Sequence, residues 1–433
     1  MRTTRFVSGC LVVIVLMPWR PAFAQAPTPA GDAQSLAQEI ARLRQDFEAL
    51  QKEYRDRLAA LESKLAASSP AEAPAVAPSS APPAAAQVPP GVEGAGAPTP
   101  GASSAASKLF NPDIAVIGDL LGAAGRNRVD PSPALEMHES EVSFQAVVDP
   151  YARADFFMSF GEEGVELEEG FVTFTSLPGG LLVKGGKMRA AFGKVNGLHN
   201  HILPWTDRPL VTRNLVNGED GISDAGFSVA RLIPNPWFFL EGTGQVFRGD
   251  SGDLFTSSRP SDLSYVGHVR GYQDISESTN IDIGASYARG YNGSGLAADD
   301  DSLVTQLYGV DATLRWKPLR RAIYNSFVGR SELIWSQRDQ PSGKQHAFGY
   351  YLSGDYQLAR RWYAGARFDR SQRAADASVH DTGGSLLLTF RPSEFSQLRG
   401  QYRHIHFGAE DDTAHEFLFQ LQFSIGAHGA HPF

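Results

Sequence analysis

From about residue 109 onward the chain alternates between apolar and polar residues in short runs. Near the C-terminus Phe417, Phe419, Leu421, Phe423 and Ile425 alternate with Gln420, Gln422 and Ser424 around them. Successive side chains of a strand project to opposite faces, so this segment predicts a strand with one apolar and one polar face. The same pattern sets Tyr308, Val310, Ala312, Leu314 and Trp316 against Gly309, Asp311, Thr313 and Arg315. It sets Phe327, Leu333 and Trp335 against Arg330 and Glu332, and Tyr350, Leu352 and Tyr356 against Ser353, Asp355 and Gln357. Comparable runs lie at 141–148, 152–160, 237–247, 281–287, 305–316, 327–335, 346–357, 362–368, 385–390 and 398–407. Weaker ones lie at 114–121, 165–177, 181–190, 227–233 and 265–273. With the tail they predict about sixteen strands. Strands of about ten residues, tilted, span the hydrocarbon core of a bilayer.

A two-faced strand suits a soluble sheet or a lipid-facing barrel, and the connections favour the barrel. Tight ones at 149–150, 177–180, 234–236 and 358–361 alternate with longer polar ones at 126–132, 191–225, 248–263, 290–302, 338–345 and 371–383. Short turns on one rim and long loops on the other are the pattern of outer-membrane barrels, with the short turns in the periplasm. An even strand count puts both chain ends there. The reading is all-β: a transmembrane antiparallel barrel of about sixteen strands over residues 108–433. Tyr and Trp near strand ends suit interfacial girdles. An Arg or Lys facing lipid at the bilayer midplane costs about 2–4 kcal/mol, so the charged faces point inward. That places Lys187, Arg189, Arg270, Arg315, Arg330, Arg367, Arg399 and Arg403 in the lumen, together with Asp282, Asp311, Glu332, Asp355 and Asp369. Some of these inward cations are expected to pair with the carboxylates and brace the wall.

The N-terminal part has another character. Arg2 and Arg5, the apolar stretch 6–17 and the Ala22-Phe23-Ala24 cleavage pattern read as a secretory signal over 1–24. The Val7-Ser8-Gly9-Cys10 lipoprotein-like box opens the apolar core instead of ending it, which argues against lipidation. Cys10 is the only cysteine, so the mature chain uses no disulfides. Loss of the signal takes the formal charge from -9 to -12, a balance unsuited to nucleic acid. Within 25–67, Leu36, Ile40, Leu43, Phe47, Leu50, Tyr54, Leu58, Leu61 and Leu65 recur at steps of four and three. This predicts a coiled coil with a stutter; an amphipathic helix packed on its own domain is the alternative. Residues 68–107, rich in Ala, Pro, Ser and Gly, read as a disordered spacer. The coiled coil would then lie in the periplasm.

The connection 191–225 is long for a compact fold, and loops of that length are functional or disordered. Trp205, its prolines and its few acids favour a folded loop that enters the lumen and narrows it. Lys187, Arg189, Lys194, Arg208 and Arg213 would give that constriction a basic side, with His199, His201 and Asp207 beside them. His199 and His201, two residues apart, could share a metal with Asp207 as a third ligand, although spacing fixes no such set. His404, His406, His428 and His431 are weaker metal candidates. The acidic run 162–169 reads as a solvated rim, and its strand cannot be phased. Asp381-Thr382-Gly383 has no second copy to share a proton with, and no nucleophile elbow, zinc-protease or phosphate-loop motif is present. No enzyme activity and no cofactor are expected.

Gly185-Gly186-Lys187-Met188-Arg189-Ala190-Ala191-Phe192-Gly193, followed by Asp207-Arg208-Pro209-Leu210, resembles the fifth strand and third loop of the phosphate-selective porin family, porins O and P. Phe110-Asn111-Pro112-Asp113-Ile114 and residues 166–170 resemble a broader group of outer-membrane proteins, some labelled zinc-regulated receptors. The aromatic C-terminus, Phe433, resembles the terminal signature of such barrels. The resemblance implies a homotrimeric porin in the outer-membrane bilayer that passes small hydrophilic solutes or anions. The inward carboxylates depart from a purely basic track and weaken the case for strict anion selectivity. Two other functions fit the sequence: a tether between outer membrane and cell wall through the coiled coil, and a metal-ion (zinc-type) uptake receptor.

Overall fold

A computed structural model of the protein describes residues 112–161, 164–293 and 303–426. The expected signal peptide, coiled coil and spacer, and the terminal Phe433, lie outside the described residues.

Sixteen strands follow one another: β1 (Asp113–Arg126), β2 (Leu135–Asp149), β3 (Ala152–Gly161), β4 (Gly164–Leu177), β5 (Leu181–Arg189), β6 (Ser223–Leu232), β7 (Phe239–Phe247) and β8 (Ser264–Ser276). They continue with β9 (Thr279–Tyr291), β10 (Val304–Trp316), β11 (Phe327–Arg338), β12 (Gln345–Ala359), β13 (Trp362–Gln372), β14 (His380–Ser393), β15 (Ser396–Phe407) and β16 (Asp412–Gly426). Each pairs with its neighbours in sequence, and β1 pairs with β16 to close the barrel. The closing register runs antiparallel from Ala115 opposite Gly426 to Arg126 opposite His415. Closure leaves no strand edge unpaired, as lipid requires of a spanning sheet.

The faces follow the alternation in the sequence. Phe417, Phe419, Phe423 and Ile425 are exposed on the outside, while Gln420 and Gln422 are buried inside. Tyr308, Val310 and Leu314 likewise face out, and Asp311 and Thr313 face in. The connections 150–151, 178–180, 277–278, 360–361 and 394–395 sit on the rim where β1 begins and β16 ends, and 190–222 and 248–263 on the opposite rim. The sorting has exceptions: 317–326 lies on the short-turn rim, and 408–411 is short on the other.

Register shifts occur in seven strand pairs, and two of them bear on the residues discussed below. Between β1 and β2 the register shifts after Asp119, which faces Glu139, while Leu120 faces Met137. Between β3 and β4, Phe157 faces Glu169 and Met158 faces Leu167, so Glu168 has no opposite residue. An extra residue lets two neighbours share one face, and Glu168 and Glu169 both turn inward.

The connection 190–222 folds into the barrel. It carries a 3-10 turn (Asn200–Ile202) and one short helix, α1 (Leu210–Leu215). Pro209 starts α1, its carbonyl accepting from the Thr212 and Arg213 amides at 3.0 and 3.1 Å. Phe192, Val195, Leu203, Trp205, Val211, Leu215, Val216 and Ile222 are almost fully buried. They pack on inward wall residues that are themselves apolar, among them Val266, Ala288, Leu307, Ile334, Ala347 and Leu387. Each large apolar side chain so covered contributes about 1.5–3 kcal/mol over a loop left in water.

Candidate functional site: the inserted loop and its anchors

Asn196 ties the two stems of the loop together. Its amide nitrogen donates to the Ala190 and Ile222 carbonyls at 2.8 and 3.1 Å, and its oxygen accepts from the Ile222 amide at 2.7 Å. Farther in, the Gly193 amide donates to Ser286 Oγ at 2.8 Å. The Lys194 and Val195 amides both donate to Glu332 Oε1. Gly193 has a φ of +60°, and a Cβ there would collide with the Glu332 carboxylate. Glycine is therefore what lets the backbone reach that wall.

One anchor is built on Asp207. Its Oδ1 accepts from Arg367 Nη2 at 3.0 Å and from Gln401 Nε2 at 2.6 Å, and its Oδ2 from Arg403 Nη1 at 3.2 Å. Arg367 also donates to Asp369 at 2.6 Å and Arg403 to Glu416 at 2.8 Å. Trp205 lies beneath, edge-on to Tyr351 at 5.1 Å, with the Arg367 guanidinium 5.0 Å from its ring. Burial raises the Asp207 pKa, but Arg367 and Arg403 outweigh it and hold the carboxyl far below the usual range.

The second anchor is built on His199. Its Nδ1 lies 2.8 Å from Glu141 Oε2 and 2.9 Å from Glu168 Oε2, and its Nε2 lies 2.8 Å from Glu169 Oε2. Glu139 joins them: one ligand atom each from Glu139, Glu141, Glu168 and His199 fall within 4.8 Å of one another. His201 lies alongside, its ring centroid 5.7 Å from that of His199 and its Nδ1 3.7 Å from Glu141 Oε2. Arg189 bounds the group, its Nη2 3.1 Å from Glu168 Oε2 and its amide donating to Glu169 Oε1 at 2.7 Å. Burial opposes charge on His199, but hydrogen bonding to Glu141, Glu168 and Glu169 outweighs it and raises its pKa well above the ordinary value.

The remaining predicted residues divide by role. Lys194 Nζ, Arg270 Nη2 and Arg315 Nη1 converge on Asp282 at 3.4, 2.6 and 3.9 Å. Arg330 pairs with Asp355 at 2.5 Å, and Asp311 lies on the inward face of β10 near Gly284. Arg399 donates to Gln420 and to the Leu203 carbonyl, both at 2.9 Å. Lys187 bonds Glu166 and the Leu167 carbonyl at 3.2 and 2.6 Å; contrary to expectation it faces out of the lumen, because its register partner Ala225 shares the outer face with Phe227 while buried Met188, opposite Asp224, takes the inward position of β5. Arg213 reaches Asp130 at 2.5 Å. Arg208 is buried within the loop, donating to Asn200 Oδ1 and to the Val195 and Leu198 carbonyls at 2.9, 3.2 and 2.6 Å. It braces the loop from inside instead of facing a passing solute; burial and then Arg189 push its pKa down to about 10. Asp207 does not join the two histidines, because the chain turns it toward Arg367 and Arg403. Their carboxylate neighbours come instead from β2 and β4.

No protein-family model matches the chain. An uncharacterized protein of Aquifex aeolicus (strain VF5) is 28% identical over 386 residues, which cover 75% of this chain and 81% of that protein. Among solved structures, an anion-selective porin from Comamonas acidovorans matches with a TM-score of 0.52 at 10% identity, over 73% of this chain and 99% of the porin. A loop L8 deletion mutant of OmpT, an outer membrane protein of Vibrio cholerae, matches with a TM-score of 0.51 at 11% identity, over 73% and 99% of the two chains. At such identities the likeness is one of fold.

Proposed function

We propose that the protein is an outer-membrane channel of the porin kind, through which small hydrophilic solutes pass passively, with the loop 190–222 as its constriction. A closed barrel with an apolar outside and a charged inside supports placement in a bilayer. The observation that carries the reading is the loop itself: it is folded, and it is fixed to the inner wall at Ser286, Glu332, Asp369 and Gln401. An inserted segment held on several sides narrows a lumen that side chains alone would not fill.

The polarity of that passage follows from which charges stay accessible. Glu139 and Glu141 are buried behind the loop. Lys194 and Arg315 keep side-chain exposures of 15% and 20%, and they share Asp282 with Arg270. Lys194, Arg270 and Arg315 gather on this wall about Asp282, and in this reading they give the passage a modest anion preference. Arg189, Arg208 and Arg213 then serve to hold the loop and its stem, while Lys187 bonds only β4 and lies outside the passage. Single-channel recording of the purified protein in a planar bilayer under a salt gradient tests this. The expected result is discrete conductance steps with a reversal potential of anion-preferring sign, displaced toward cations in a Lys194→Glu, Arg315→Glu variant. Steps grouped in threes would report a trimer. A folded barrel that never conducts would overturn the reading.

A further inference from the structure

The acidic pocket behind the loop is arranged for more than ion pairing. Both Glu139 carboxylate oxygens are buried with no N–H donor on either, and the group that faces them is the Glu168 carboxyl. Glu139 itself is only 6% exposed. Buried carboxylates without donors are costly and rare, and this one shares its space with Glu141, Glu168 and His199. The surroundings supply what a ligand set needs. Glu169 sits on Nε2 of His199 at 2.8 Å, where it accepts from Nε2–H and so leaves the Nδ1 lone pair of the neutral ring directed at Glu139, Glu141 and Glu168. A carboxylate that fixes the tautomer and orientation of a ligating histidine is the usual outer shell of a metal site. Arg189 steadies Glu168 and Glu169 from the far side.

We infer that Glu139, Glu141, Glu168 and His199 form a binding site for a divalent first-row transition cation, Zn²⁺ or Mn²⁺, that fastens the inserted loop to β2 and β4. Three carboxylates and one imidazole nitrogen suit such ions better than Cu(I), which selects sulfur ligands, or Ca²⁺, which takes oxygen alone. The loop contributes the nitrogen and the wall contributes the oxygens, so an ion held there bridges the two. The site is independent of whether the lumen conducts, and its test needs no conductance.

The test uses the untagged full chain, folded in detergent and stripped with a chelator. Equilibrium dialysis against micromolar Zn²⁺ should return about one ion per chain. Glu141→Gln and His199→Ala, checked for folding by circular dichroism, should weaken binding by about a hundredfold or more. His406→Ala, at a half-exposed histidine on β15 outside the pocket, should leave it unchanged. Mn²⁺ bound to the wild-type protein should show electron spin echo modulation from a coordinated imidazole nitrogen, lost in His199→Ala. This wild-type spectrum decides the matter even if the variants do not fold. Absence of a bound ion in the folded wild type would overturn the site, leaving the pocket balanced by protons alone. Binding that survives both substitutions, or bound Mn²⁺ without nitrogen coupling, would overturn it equally.

Discussion

The two anchors of the loop are inverses in charge. At Asp207 one loop carboxylate sits among wall guanidiniums, and donors from Arg367, Arg403 and Gln401 reach both of its oxygens. At His199 one loop imidazole sits among wall carboxylates, and neither oxygen of Glu139 receives a donor. The first cluster is complete as it stands: Asp369 and Glu416 share its guanidiniums, and every charge has a partner. The second sets four carboxylates against the His199 and His201 imidazoles and the Arg189 guanidinium. Burying charge is tolerable only when it is paired and hydrogen-bonded. The loop is therefore held by one anchor that needs nothing further and by one that is short of positive charge.

Removing a charge should then have opposite signs at the two sites. Asp207→Ala leaves Arg367 and Arg403 buried with one carboxylate fewer, and breaking such a pair costs about 3–5 kcal/mol. The loop-opening free energy, read from native-state trypsin cleavage after Lys194 or Arg213, should fall by that amount. Glu139→Gln should do the reverse in chelator-treated protein. It puts an amide that always donates to Glu168 in place of a carboxyl that can do so only when protonated, so opening should become harder by up to about 1.5–3 kcal/mol. A destabilised loop there would show that the acidic anchor is already balanced and would end the contrast. Asn196→Ala acts on neither anchor; it strips the stem of three hydrogen bonds and should cost about 1–3 kcal/mol by the same readout. Arg213→Ala should change it by less than about 1 kcal/mol, since that ion pair is open to solvent, with side-chain exposures of 25% and 48%.

The barrel was legible because period-two alternation is a direct record of which face meets lipid. The same record holds a signal that pattern reading passes over. Leu307, Ile334, Ala347 and Leu387 are apolar on inward faces that are otherwise polar, and they mark where the loop docks. The acidic anchor was hidden for a different reason. A bulge at Glu168 shifts the phase of β4, so two successive glutamates share a face and the strand matches no simple period. Residues 168–169 thus read as rim when they are wall. Asp207 misled by proximity in sequence: it lies six residues from His201, but the turn through Pro204 and Trp205 carries it to β13 and β15. Its partners there are more than 150 positions away, at Arg367 and Arg403.

The smallest expected effect is one of pH, and its sign separates the Asp207 anchor from an ordinary surface pair. Arg367 and Arg403 outweigh burial and hold Asp207 below its reference pKa of 3.8. A carboxyl whose folded pKa is depressed binds fewer protons in the docked state than in the undocked one. Its contribution is therefore complete above the undocked value and is lost only as pH falls through the docked one. Between neutrality and about pH 5 the Asp207 contribution to docking should stay flat. It should decline only in stronger acid, and Asp207→Asn should remove that decline. Comparing the two proteins by trypsin cleavage is impractical at such pH, but pepsin cleavage or hydrogen exchange across 203–216 reads the same opening. An Asp207 contribution that faded already at pH 5 would mean that the guanidiniums are not seated on the carboxylate, and the closed anchor would be no more closed than its acidic counterpart.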